Sequence, residues 1–128
     1  MKIIFDANPY LGPHGDDGIE YSYVNGNLYL KIFYDSTKCI KLMFHHCTYQ
    51  YFFPIPGHTP FKNTSVYVRG RSTSGIVYEV TDGDLMKGAR EVCENLNLKF
   101  DQRQYHLYLI EANIVMDVIS SGVTVEIN

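Results

Sequence analysis

The sequence predicts a mainly β, single-domain protein: an antiparallel β-sandwich built from two meanders, with one short α-helix at about residues 84–95. Three observations carry this reading. Residues 18–44 and 105–127 each break into runs of alternating apolar and polar residues divided by turn chemistry. Only residues 81–97 carry apolar positions at helical spacing. The chain also holds 11 Tyr and 7 Phe against no Trp, a choice that suits pleated, half-buried surfaces where the ring packs and the hydroxyl stays wet. At 128 residues it is one domain, long enough to bury roughly two-thirds of its unfolded surface.

The opening "MKIIFD" reads as a strand at residues 2–6 that pairs with a sheet edge. The first meander, "GIEYSYVNGNLYLKIFYDSTKCIKLMF", turns at Asn25-Gly26, because a type I′ turn needs positive φ at both central residues. That turn sets Tyr23 against Leu28, Tyr21 against Leu30 and Ile19 against Ile32. A three-residue loop at Asp35-Ser36-Thr37 then sets Ile32 against Ile40, Leu30 against Leu42 and Leu28 against Phe44. The two turns place the same residues on one face, which is how register is fixed. Beyond Phe44 the bulky positions change parity at His45-His46, and one extra residue, a β-bulge, produces such a change. The prolines of "FPIPGHTP" end that strand.

"SVYVRG" and "GIVYEV" predict a short hairpin around residues 71–74. The helix follows, with Leu85, Ala89, Val92, Cys93 and Leu96 on its packing side, Cys93 buried among them, and Thr81 with Asp84 as a cap. In the second meander, "YHLYLIEANIVMDVISSGVTVEI", a turn at Ala112-Asn113 pairs Leu109 with Met116 and Leu107 with Val118. A second turn at Ser121-Gly122 pairs Val118 with Val125 and Met116 with Ile127. Each meander has one apolar face, and the two faces bury each other most simply as a sandwich.

The formal charge of −3 and the scatter of 11 basic residues argue against a nucleic-acid partner, which needs clustered Lys and Arg to displace counterions. No apolar run nears the ~18 residues of a membrane span. Cys39, Cys47 and Cys93 form no metal spacing, and their odd number excludes a complete disulfide framework. With no apolar leader at the start of the chain, the expected location is cytoplasmic.

Three places could carry chemistry. The run "LMFHHCTYQYFFP" places His45, His46 and Cys47 together, but neighbouring strand residues point to opposite faces, and Cys47 falls on the core-facing parity. It reads as structure; no metal or cofactor is expected, the alternative being a metal or small-ligand site, even an enzyme's, near His45, His46 and His58. The loop "NPYLGPHGDDG" offers His14, Asp16 and Asp17, but not the alternating acids of a calcium loop, so it reads as turn chemistry. On the outer face of the second meander, the expected registers line up Tyr108, Asp117 and Glu126, with His106 on the diagonal. Two facing carboxylates repel, which marks His106, Tyr108, Asp117 and Glu126 as the expected partner-binding surface for a basic protein partner. No Gly-x-Ser-x-Gly elbow, phosphate loop or Rossmann fingerprint is present.

In its opening "MKIIFD", its tyrosine-rich first meander and its closing "YHLYLIEANIVMDVISSGVTVEI", the chain resembles in layout the small uncharacterised bacterial β-rich proteins of the immunity-protein-like kind. The resemblance implies a non-catalytic, cytoplasmic, modestly acidic protein that binds another protein. The expected function is therefore a non-enzymatic protein-interaction module that uses an exposed sheet face or its tyrosine-rich strands. A structural subunit of a larger assembly is the third reading, and it would show as a fixed homo-oligomer.

Overall fold

The strongest local signal in the sequence, Asn25-Gly26, closes the hairpin expected of it. In the computed structural model, which describes residues 2–13, 15–54, 74–80, 84–109 and 114–128, Asn25 and Gly26 have φ of 52° and 82°, as a type I′ turn demands. They join β2 (Ile19–Val24) to β3 (Asn27–Tyr34), with Ile19 opposite Ile32 and Tyr21 opposite Leu30. The three-residue turn at Asp35-Ser36-Thr37 leads to β4 (Lys38–His45), which sets Leu28 against Phe44, Leu30 against Leu42 and Ile32 against Ile40. All six of these side chains are fully buried.

Among the described residues the remaining strands are β1 (Lys2–Asp6), β5 (Tyr49–Pro54), β6 (Ile76–Val80), β7 (Arg103–Leu109), β8 (Ile114–Ser120) and β9 (Gly122–Ile127). Two antiparallel sheets result, in the orders β1-β6-β7-β8-β5 and β2-β3-β4-β9. Their inner faces form one core in which Leu28, Leu30, Ile32, Ile40, Leu42 and Phe44 meet Val77, Tyr105, Leu107, Leu109, Met116 and Val118. Phe44 and Tyr105 touch across the two sheets with ring centroids 5.6 Å apart. The fold is thus the expected mainly β sandwich, and β1 lies at a sheet edge as expected.

The sheets are not, however, one meander each. β9 leaves its sequence neighbour and pairs with β4, so that Ile127 faces Ile40, Val125 faces Leu42 and Glu126 faces Lys41. The expected pairing of Val118 with Val125 and of Met116 with Ile127 is therefore corrected. The cause is at Ser121, whose N and Oγ both donate to the His45 carbonyl, at 2.8 and 3.1 Å. This carries the chain from one sheet into the other rather than into a hairpin.

The opposite strand makes the same passage beside it. Between the pair His45–Gly122 and the pair Tyr49–Ile119, three residues, His46 to Thr48, stand opposite two, Ser120 and Ser121. His46 takes a left-handed φ of 48°. The parity change seen in sequence is this one extra residue, placed where β4 gives way to β5 in the other sheet. Corners of sandwiches are commonly built by a bulge of this kind.

Two further expectations are corrected. β7 and β8 pair with Leu107 opposite Met116 and Leu109 opposite Ile114, a slip of two residues from the expected register. A slip of two leaves every side chain on its face, so the apolar pattern could not detect it. The helix, α2 (Asp84–Asn95), has the expected bounds but a different buried stripe. Met86 is buried, Ala89 and Cys93 are half-buried, and Leu85, Val92 and Leu96 are exposed. The stripe is turned about one residue round the helix, and Cys93 is not enclosed. A second helix, the single turn α1 (Asn8–Leu11), opens the loop after β1, with proline in its first turn as helix starts favour. "SVYVRG", the cap at Thr81 and the turn at Ala112-Asn113 lie outside the described residues.

Candidate interaction surface

Four of the side chains marked by the sequence distribute over two sheets. On the outer face of the five-stranded sheet the row runs Tyr78, His106, Asp117, Tyr51 across β6, β7, β8 and β5. The two-residue slip brings His106, not Tyr108, directly opposite Asp117, and its Nδ1 lies 2.8 Å from Asp117 Oδ1. An ionised carboxylate only accepts, so the imidazole Nδ1–H donates this bond. Gln104 Nε2 donates a longer bond, 3.4 Å, to the same oxygen. Gln104 is 8% exposed, and its buried Oε1 has no hydrogen-bond partner among the described residues.

Around His106 and Tyr108 this outer face is buried, whereas its β5 margin is exposed at Tyr49 and Tyr51. His106 and Tyr108 are each 7% exposed, and Tyr78, Val115 and Ile119 are buried beside them. The expected line of Tyr108, Asp117 and Glu126 is corrected on this point. Tyr108 faces Val115. Glu126 lies in the other sheet, opposite Lys41, where an opposite charge replaces the expected repulsion.

The histidine run is a structural corner. His45 Nε2 lies 2.6 Å from Thr124 Oγ1 across the sheet. The His46 backbone N–H donates to Asn27 Oδ1 at 3.1 Å, and its side chain is exposed. Cys47 is buried; its N–H donates to the Gly26 carbonyl and its thiol to the Tyr49 carbonyl. Burial pushes the Cys47 thiol above its ordinary range, although the bond to Tyr49 opposes the shift. A thiol held protonated is a poor nucleophile and a poor metal ligand. Among the described residues no group of three His, Cys, Asp or Glu side chains could hold a metal ion. His58 and His14 lie outside the described residues.

In the loop after α1, Asp16 is buried and its Oδ2 accepts from the Gly18 N–H, the turn role expected of it. The Asp17 backbone donates to the Phe33 carbonyl, which seats the loop on β3. Beside it lies a cleft of about 470 Å³ lined by Tyr10, Tyr34, Asp17, Asp35 and Lys38. It sits at the hairpin end of β3 and β4, opposite the end that carries His45.

The most open surface is one the sequence reading mentioned only as tyrosine-rich strands. Five of the six residues of β2 are exposed. Tyr21 is 54% exposed, Tyr23 52% and Val24 50%. Tyr21 stacks on Phe52 of β5, with centroids 4.3 Å apart and planes 12° from parallel. Tyr23 Oη donates to the Cys47 carbonyl at 3.3 Å. Each ring is thus anchored at one side while its remaining surface faces water. Tyr49 and Tyr51 of β5 are also exposed, on the outer face of the five-stranded sheet. Tyrosines fixed in this way present large contact area at low entropic cost. The signal in the sequence is "IEYSYV", a strand without lysine or proline to guard an edge. Comparison with known protein families, with curated proteins and with solved structures finds no match.

Proposed function

We propose that the chain is a non-enzymatic protein-interaction module, immunity-like in kind, that engages a protein partner through the exposed tyrosines of β2. The observation that carries the reading is the pair Tyr21 and Tyr23, anchored on Phe52 and on the Cys47 carbonyl yet more than half exposed. Exposed, immobilised aromatic groups of this size are what interface hot spots are made of. The reading moves the expected surface away from His106, Tyr108 and Asp117, because the sheet is buried around His106 and Tyr108.

The test is affinity capture from the native host with the tagged chain, beside a Tyr21→Ala/Tyr23→Ala variant shown to be folded. A stoichiometric partner held by the wild type and lost by the variant supports both function and surface. A partner held equally by both rejects the surface. The absence of any stoichiometric partner, at several salt concentrations, overturns the reading.

The alternative is a small-ligand site, and the cleft of about 470 Å³ beside Tyr10 and Tyr34 favours that location over the three histidines. A ligand that raises the melting temperature, with the gain lost on Tyr10→Ala, would support it.

A further inference from the structure

The cleft at the hairpin end of β3 and β4 joins three parts of the chain. α1 supplies Tyr10 and Leu11, the loop after it supplies Asp17, and the hairpin supplies Tyr34, Asp35 and Lys38. Backbone bonds in both directions hold the loop on β3. The Asp17 N–H donates to the Phe33 carbonyl at 2.7 Å, and the Phe33 N–H donates to the Gly18 carbonyl at 3.0 Å. Tyr10 stands between Phe5, on which it stacks at 6.0 Å, and Tyr34, whose ring is 6.5 Å away and tilted by 58°. At about 470 Å³ the cleft is within the size range of small-molecule sites.

Two independent observations say what it would hold. Tyr34 is 8% exposed, yet its hydroxyl has no hydrogen-bond partner among the described residues. A buried tyrosine ordinarily bonds its hydroxyl. This hydroxyl is not an enclosed atom, so the small accessible part of Tyr34 includes it, on the cleft that the residue lines.

The second observation is charge. Two carboxylates and one ammonium line the cleft, which leaves one negative charge in excess. Lys38 is spent on Asp35, at 3.5 Å. Asp17 has no ion-pair partner among the described residues, and its Oδ2 accepts one long bond, 3.4 Å, from the Ser36 N–H. Asp16 beside it is buried, already engaged, and no part of the lining.

Resting on the small-ligand reading above, we infer that this cleft binds a primary amine with an apolar body, of the arylalkylammonium class. The ammonium donates to the Asp17 carboxylate and to the Tyr34 hydroxyl, and the body lies on Leu11 and the Tyr10 ring. Bonds between an ammonium and a carboxylate are about twice as strong as neutral ones, and the faces of the two tyrosines attract a cation as well. An anion would meet the excess negative charge and would have to draw Lys38 from Asp35.

The test titrates phenethylamine into the isotope-labelled full chain at neutral pH and follows amide chemical shifts. The neutral isostere 2-phenylethanol, the anion 3-phenylpropionate and an Nα-acetylated lysine amide run beside it. The amine is expected to shift the amides of Tyr10, Asp17, Tyr34 and Ser36 saturably, and to bind about tenfold or more tighter than the alcohol. This comparison on the wild type does not depend on any variant folding. Asp17→Asn keeps the shape of the side chain and the backbone bonds to β3, and should weaken the amine about tenfold. Tyr34→Phe should weaken it several-fold. Lys38→Met frees Asp35 and should strengthen it several-fold, a sign that neither a neutral ligand nor an anion would give.

Equal affinity for amine and alcohol, or indifference to Asp17→Asn, overturns the ammonium and leaves a small-ligand cleft standing. Binding of the anion, lost on Lys38→Met, overturns it in favour of an acid. Binding of the lysine amide without phenethylamine overturns the free amine in favour of a side chain of a partner protein. Shifts elsewhere, or none with any probe, overturn the inference. If in addition no ligand raises the melting temperature in a manner that depends on Tyr10, the small-ligand reading falls with it.

Discussion

The pairing of His106 with Asp117 decides the register of β7 on β8, and a double-mutant cycle measures it. Asp117→Ala leaves a buried ring N–H, now bonded at 2.8 Å, without its acceptor. A lost partner for a buried polar group costs about 1–3 kcal/mol. Asp117 keeps 22% of its side-chain surface in water, so water replaces part of the bond and the expected cost is near 2 kcal/mol. His106→Ala adds a cavity, but the cycle cancels that contribution and isolates the coupling. The coupling expected between His106 and Asp117 is about 1.5 kcal/mol. For Tyr108 and Asp117, which the observed register separates, it is under about 0.5 kcal/mol. Urea unfolding followed by far-UV circular dichroism resolves this difference, since slopes of roughly 1–3 kcal/mol per molar make it a visible shift in midpoint. A coupling that is negligible for His106 and large for Tyr108 would falsify the observed register and restore the one expected from sequence.

Gln104→Met removes a buried acceptor that has no partner among the described residues, at the expense of one long bond to Asp117. Stability is expected to stay within about 0.5 kcal/mol of wild type or to rise; a loss above 1 kcal/mol in urea unfolding would count against the site as described. Phe44→Ala empties a fully buried position that meets Tyr105 across the sheets. A loss of about 3–5 kcal/mol is expected, and a loss near 1 kcal/mol would mean that the sheets do not pack there. Thiol labelling at neutral pH should modify half-buried Cys39 and Cys93 well before buried Cys47; equal rates would refute the burial of Cys47. Burial raises the Cys47 thiol and, together with Glu79 and against Arg103, the Tyr105 phenol. Both groups hold their protons more tightly when folded. The stability they contribute is whole at neutral pH and is lost as pH rises from about 8.5 through the ordinary thiol and phenol values. The melting temperature should therefore fall on that alkaline side, and a flat or rising profile there would contradict the assignment.

What the sequence made legible was whatever depends on side-chain parity and local turn chemistry. Asn25-Gly26 and the loop at Asp35 specify both partner and register, and every pair read from them is present. The extra residue at His46 was legible for the same reason: it changes which side of the strand is bulky. Parity is blind to a slip of two residues, so Tyr108 stood in the place of His106 opposite Asp117. It is blind as well to which strand lies alongside. Val123, Val125 and Ile127 present the same apolar side whether they pair with β8 or with β4, and only the carbonyl of His45, bound by Ser121, separates the two. The expected row came apart through this blindness, since Glu126 left for the other sheet, and His106 proved buried. The edge at β2 was hidden differently. The sequence paired its residues correctly with β3 but held no sign that nothing among the described residues lies on the other side.

The paired corners at His46–Thr48 and Ser120–Ser121 bear on how the chain reaches its native state. Two ribbons separated by about seventy residues run together through both layers, so neither layer can be completed by contacts near in sequence. The β2–β3–β4 hairpins can form early from local turns. The remaining strands must wait until a long loop closes, and its entropy has to be lost before the distant pairs return any gain. Refolding is expected to be slow, in the millisecond-to-second range of sandwiches with non-local pairing. During that wait β4 is without β9. The interval exposes a bare β-strand margin to other unfolded chains, and low protein concentration should favour recovery of the monomeric fold.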